Sequence, residues 1–320
     1  MRRLVAIRRN LRNSPVSSVA ADLVVGKGKA VRRTPSRSER IVVSGLDYHV
    51  RHWGRKDRPI LVLLHGWMDT SSTFQFVVDA LTREWHVIAP DWRGYGATAW
   101  LARPYWFPDY LADLDALLRR YLPEEPARIV GHSMGASIAA TYAGVRPDRV
   151  ARLVMLDFLG LPRVDPGETP VRLGHWLEGL ASPPEPRTYA DYGDLARRLR
   201  FVNPRLTPER ADFLARRIGM AEPGGRVTLA CDPWHRVPSA LPYRIEEAMA
   251  CWRSVTAPAR LLVADQGFVV QRFGRESDEL AQRMACFASL EREEIPDCGH
   301  NLHHDQPERV AASIEAFLTG

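Results

Sequence analysis

Lysine is almost absent from this 320-residue chain. Of its 44 basic residues only Lys27, Lys29 and Lys56 are lysines, a bias we read as that of a GC-rich genome, so arginine-rich stretches carry less meaning here than elsewhere. Cysteine is scarce too. Cys231, Cys251, Cys286 and Cys298 form no C-x-x-C pair, which removes the usual zinc-ribbon and dithiol patterns. Such thiols fit a reducing compartment, and a cytoplasmic location is expected. Long apolar runs are missing: none approaches the ~18 residues of a membrane span, so a soluble protein is expected. A surplus of positive charge also vanishes from the body of the chain. The net charge is +6, but residues 1 to 40 hold 11 Lys+Arg against 2 Asp+Glu, leaving 33 against 36 in the remainder. Nucleic acid is therefore not an expected partner.

What is present is organised around Ile129-Val130-Gly131-His132-Ser133-Met134-Gly135 and the small-residue run behind it. It reads as a buried strand, a tight turn with Ser133 at its tip, and a helix starting at once. A strand that reverses into a helix this quickly forces backbones together, which is why glycines flank the serine two positions away on either side. The hydroxyl then stands at the helix N-terminus, where backbone N–H groups are unpaired.

In chain order, residues 1–38 alternate arginine with Ser, Pro, Gly and Thr. A disordered basic leader is expected, read as a dispensable extension or misassigned start in preference to a transit or export signal. Ile41 to Trp53 reads as a hairpin, and Ile60–Leu64, Trp85–Ala89, Arg128–Val130, Leu153–Leu156, Arg260–Ala264 and Leu290–Ile295 as strands. Helical patterns lie over Phe74–Leu81, Pro108–Tyr121 and Pro307–Leu318. This alternation predicts an α/β fold, a mostly parallel sheet flanked by helices, built from residues 39–157 and 253–320. Between 158 and 252 the rhythm breaks into proline clusters and short arginine-rich helical patterns without a buried strand. A mainly helical cap inserted into the sheet domain is expected there.

Four motifs sit at strand ends in a fixed order: His65-Gly66-Trp67, Asp91-Trp92-Arg93-Gly94-Tyr95-Gly96, Gly131-His132-Ser133-Met134-Gly135 and Gly299-His300. Together they resemble the α/β-hydrolase superfamily, and within it the serine-hydrolase-like group of epoxide-hydrolase-type sequences, over nearly everything from residue 40 onward. The resemblance implies a serine hydrolase acting on a carboxylic ester, with Ser133 as nucleophile, His300 as base, and the backbone N–H groups of Trp67 and Met134 as the oxyanion hole. The Trp67 ring would wall the acyl or alcohol pocket. A serine at the elbow argues against epoxide hydrolase and haloalkane dehalogenase, whose elbows carry aspartate.

The acid departs from the commonest pattern. Where many relatives read Gly-x-x-Asp this chain reads Ala264-Asp265-Gln266-Gly267, with glycine in the aspartate's place. Two candidates follow: Asp157, ending the strand Arg152–Leu156 and so facing the sheet's carboxyl edge, is preferred, and Asp265 is the alternative. Asp69 and Asp91 are read as capping or pairing with residues such as Arg93, and His303 and His304 as satisfied loop histidines that could line the site mouth. Trp176, Tyr189, Tyr192, Trp234 and Trp252 point to an apolar small-molecule substrate or, for most of them, to the core of the cap. No metal or organic cofactor is implied, and the oligomeric state is not readable. The rival reading is a catalytically silent protein of the same fold that binds a small molecule or partner.

Overall fold

The computed structural model describes residues 33–319. The expected leader lies outside them up to residue 32. The described residues begin inside the segment assigned to it: the Thr34 N–H donates to Asp79 Oδ1 at 2.7 Å and the first strand starts at Ser36.

Eleven strands are formed among the described residues: β1 Ser36–Val43, β2 Leu46–Trp53, β3 Ile60–Leu64, β4 His86–Pro90, β5 Ala127–His132, β6 Val150–Leu156, β7 Thr188–Tyr189, β8 Gly219–Ala221, β9 Val227–Leu229, β10 Ala259–Ala264 and β11 Leu290–Ile295. Eight of them make one sheet in the order β1-β2-β4-β3-β5-β6-β10-β11. β1, β2 and β4 pair antiparallel, and every pair from β4 to β11 is parallel.

The central strands are mostly apolar because both faces are covered. In β3, Val62 and Leu64 enter one apolar cluster while Leu61 and Leu63 enter the other. The same alternation holds in β6 (Leu153 and Met155 against Val154 and Leu156) and in β10 (Leu261 and Val263 against Leu262 and Ala264), as a period of two requires. The first face is covered by α2 Phe107–Tyr121, α3 Met134–Val145 and α7 Ile245–Trp252, among others; the second by α1 Gln75–Ala80 and α11 Pro307–Thr319. Burying each large aliphatic here contributes about 1.5–3 kcal/mol. The result is a three-layer sandwich whose parallel strands all deliver their following loops to one edge.

Between β6 and β10 lie α4 Thr169–Ala181, α5 Tyr192–Val202, α6 Pro208–Ile218 and α7. Two features differ from the expectation of a mainly helical insertion over 158–252. First, β7, β9 and β8 form a small antiparallel sheet in which Val227 packs with Tyr189, Leu195, Ala215 and Ile218. Strands of two or three residues are too short to leave an alternation pattern. Second, α7 packs on α3 in the core: a Cβ on Gly144 would fall 1.9 Å from the Cys251 carbonyl oxygen, and Trp252 is 1% exposed. The remaining elements are α8 Phe268–Phe273, α9 Asp278–Met284 and α10 Leu302–Asp305.

Candidate active site at the carboxyl edge of the sheet

Ser133 follows β5 and begins α3 with φ 51° and ψ −115°, a conformation that costs a residue with a side chain about 1–3 kcal/mol. Packing enforces it. A Cβ on Gly135 would stand 2.1 Å from the Leu64 carbonyl oxygen, and one on Gly131 2.5 Å from the Gly135 backbone, so both flanking positions exclude any larger residue. The turn is therefore held between β3 and α3 with its hydroxyl projecting from the edge.

His300 reaches that hydroxyl from the loop after β11. Its Nε2 lies 3.0 Å from Ser133 Oγ and its Nδ1 2.8 Å from Asp157 Oδ2. A carboxylate only accepts, so Nδ1 carries the proton and Nε2 is left to accept from the serine hydroxyl. The loop is fixed from two sides: the His300 carbonyl accepts from His132 Nε2–H at 2.9 Å, and the Gly299 N–H donates to Asp305 Oδ2 at 2.9 Å.

Asp157 directly follows β6 and is fully buried. Burial pushes its pKa up, while His300 and the N–H groups of Phe268 (2.6 Å) and Ala264 (3.2 Å) work to keep it charged. A Cβ on Gly267 would lie 2.2 Å from Asp157 Oδ2. The glycine in the expected aspartate's place is thus the space that Asp157 occupies. Asp265 is turned elsewhere, its Oδ1 accepting from the Cys298 N–H at 3.0 Å. Burial raises its pKa, but that bond and one from the Asp297 backbone, with the other groups around it, hold it below the ordinary range.

His65 is wholly buried, with Nδ1 2.7 Å from the Gly66 carbonyl oxygen and Nε2 accepting from the Trp92 N–H at 2.9 Å. Those partners fix the neutral Nδ1–H tautomer, and burial lowers its pKa in the same sense. The Gly66–Trp67 peptide is trans, so tethering the Gly66 carbonyl to His65 turns the Trp67 N–H the opposite way. The first unpaired N–H of α3, on Met134, directly follows the serine.

Ser133 and His300 open into a cavity of about 240 Å³. One wall is Trp67 and Met68; the other is aliphatic, from Leu199 and Val202 of α5, Leu206 between α5 and α6, and Leu214 and Ile218 of α6. None of the five aromatics named for the insertion lines it. Tyr189 and Trp252 are buried in packing instead. Arg93 also departs from expectation: it binds Asp113 (2.6 and 2.7 Å) and Asp109 (2.5 Å) of α2, whereas Asp91 accepts from His49, Ser71 and Ala97. A group that sequence reasoning passed over lies beside the elbow. His132, His303 and Asp69 bring potential metal-ligating atoms within 4.8 Å of one another, although they are far apart in the chain. The four cysteines are free, and among the described residues no helix is long and apolar enough to cross a membrane.

A three-layer sandwich around a mostly parallel sheet, with a strained serine turn and a histidine bound to both that serine and a buried aspartate, defines the class of α/β-fold hydrolases. Residues 59–307 match the alpha/beta hydrolase fold family, and the chain belongs to it. Among its relatives are a serine hydrolase-like protein of Danio rerio, 30% identical over 83% of each chain, and the 3-hydroxybutyrate-oligomer hydrolase of Cupriavidus necator, 30% identical over 85% of this chain and 92% of that one. The thioesterase domain from the curacin biosynthetic pathway superposes with a TM-score of 0.77 at 26% identity, over 88% of this chain and 99% of that one. The likeness places the chain in the serine-hydrolase-like group and makes hydrolysis its class of reaction.

Proposed function

We propose that the protein is a serine hydrolase that cleaves a carboxylic ester of an apolar small molecule through an acyl-enzyme. Ser133 attacks the carbonyl carbon while His300 Nε2 takes its proton; the resulting imidazolium is stabilised by Asp157. The oxyanion is met by the N–H groups of Met134 and Trp67, the latter aimed by the His65 tether. His300 then returns the proton to the leaving alcohol, and water repeats the sequence in reverse on the acyl group. The observation that carries this reading is the unbroken relay from Ser133 Oγ to His300 at 3.0 Å and on to Asp157 at 2.8 Å.

The aliphatic wall of α5 and α6 supports an apolar acyl or alcohol portion, and the modest cavity a short or medium one. In this reading residues 158 to about 244 act as the cap that selects the substrate, with α7 belonging to the core. Hydrolysis of oligomers and of thioesters by the relatives' namesakes is the same acyl chemistry on other leaving groups. The test is labelling with a fluorophosphonate and location of the adduct by mass spectrometry. An adduct on Ser133, lost in Ser133→Ala, is expected; a folded protein that takes no label would favour the silent binding protein instead.

A further inference from the structure

Behind the elbow lies a group of imidazoles whose hydrogen bonding is incomplete. His132 donates through Nε2–H to the His300 carbonyl, which leaves Nδ1 with a free lone pair; that atom is buried and has no partner. His303 is 0% exposed and neither of its ring nitrogens makes a hydrogen bond; its Nε2 stands 3.9 Å from Asp69 Oδ2. A buried polar atom left unpaired is costly and uncommon, so two such rings facing one carboxylate are a departure from ordinary packing. Gly66 adds to it, because a Cβ there would come 2.9 Å from His132 Nδ1: the space beside that lone pair is open only because residue 66 is glycine.

We propose that Asp69, His132 and His303 form a binding site for a divalent transition metal such as Zn2+, and that loading it inhibits hydrolysis. Two imidazoles and a carboxylate are the donor set of three-ligand zinc sites that keep one position open. Outer partners of the kind that orient such ligands are also in place. The Nε2–H of His132 is held by a carbonyl, Asp69 Oδ1 accepts from the Thr70 N–H at 2.8 Å, and Oδ2 from the Thr73 hydroxyl at 3.0 Å. Bonds of about 2.0–2.2 Å set tetrahedral ligand atoms roughly 3.3–3.5 Å apart, so the cluster tightens by about an ångström or slightly more on loading. Inhibition follows from position: Asp69 and His132 line the same cavity as Ser133 and His300, so the ion and whatever fills its open position take up substrate space.

The binding half stands without the proposed reaction; the inhibitory half rests on it. The chelator-stripped full-length protein is titrated with Zn2+ against a chromophoric indicator, and ester hydrolysis is followed in parallel. One equivalent bound is expected. His303→Gln should weaken it by more than the ~10–100-fold that loss of an outer partner brings, and its ester hydrolysis should no longer respond to Zn2+. Equal affinity in the two proteins overturns the site. X-ray absorption of the zinc-loaded natural protein decides the matter should the variant not fold: a nitrogen and oxygen shell with two imidazoles supports the site, and a sulfur or all-oxygen shell contradicts it. Tight binding with hydrolysis unchanged overturns the inhibitory half alone.

Discussion

The loops after β6 and β10 each carry an aspartate within reach of the same edge, yet their surroundings are opposite. Asp157 is fully buried, accepts two backbone N–H groups and still turns one oxygen to His300. Asp265 spends its carboxylate on the Cys298 N–H and braces the loop that carries His300. The difference teaches that chain position alone does not select which aspartate pairs with His300. The carboxylate that becomes the histidine's partner is the one for which the neighbouring loop leaves room, and Gly267 provides that room.

The sharpest way to break this comparison is Asp157→Asn. The imidazole loses the partner that sets its tautomer, and kcat/KM should fall by about 10³–10⁴-fold. A smaller effect on rate than that of Asp265→Asn would exchange the two roles. Next comes Gly267→Ala, whose methyl group would meet Asp157 Oδ2 at 2.2 Å. Displacing the acid by about an ångström is expected to lower kcat on the order of 100-fold with KM little changed, read from steady-state ester hydrolysis. Unaltered kcat would mean that the glycine is incidental.

Asp265→Asn should be mild, a few-fold at most in activity. Its signature lies in stability against pH. The Asp265 pKa is depressed below the ordinary 3.8 in the folded protein, so its contribution is present above that pH and lost as pH falls through the folded value. Urea midpoints of the variant and the natural protein should therefore differ at pH 7 and draw together as the pH falls below 3.8. Asp157, whose pKa is raised, carries the opposite sign: its contribution is complete only below 3.8 and is lost as pH rises through its folded value.

A broader acid sensitivity follows from buried histidines away from the site. Burial holds His235 at about 3 and His52 at about 4, both depressed from 6.5, so the unfolded chain binds more protons as pH drops below 6.5. The urea midpoint should fall steadily between pH 6.5 and 4. A flat profile would show that these rings do not govern acid stability.

Much of this architecture is legible in the sequence because it is written in local patterns. Strands buried on both faces leave continuous apolar runs such as Ile60–Leu64, and the elbow needs glycines at fixed offsets from Ser133. What escapes is whatever depends on contacts between distant segments. The β7-β9-β8 sheet is too short to leave a period. Arg93 finds Asp113 of α2 where the nearer Asp91 looked the natural partner, and which residues make the apolar cavity wall is settled only once α5 and α6 are folded over the edge. Gly267 reads in the sequence as a missing acid; that it makes room for Asp157 appears only when two loops 110 residues apart are seen in contact. His132, His303 and Asp69 likewise share no local motif.

The central claim is that Ser133 carries an acyl group during turnover. The direct measurement is acid quenching of the enzyme with a short-chain p-nitrophenyl ester in the pre-steady state, followed by intact-mass and peptide mass spectrometry. The account predicts a burst of p-nitrophenol and one acyl mass added to the peptide containing Ser133, both lost in Ser133→Ala. Turnover that is unchanged in Ser133→Ala would contradict it.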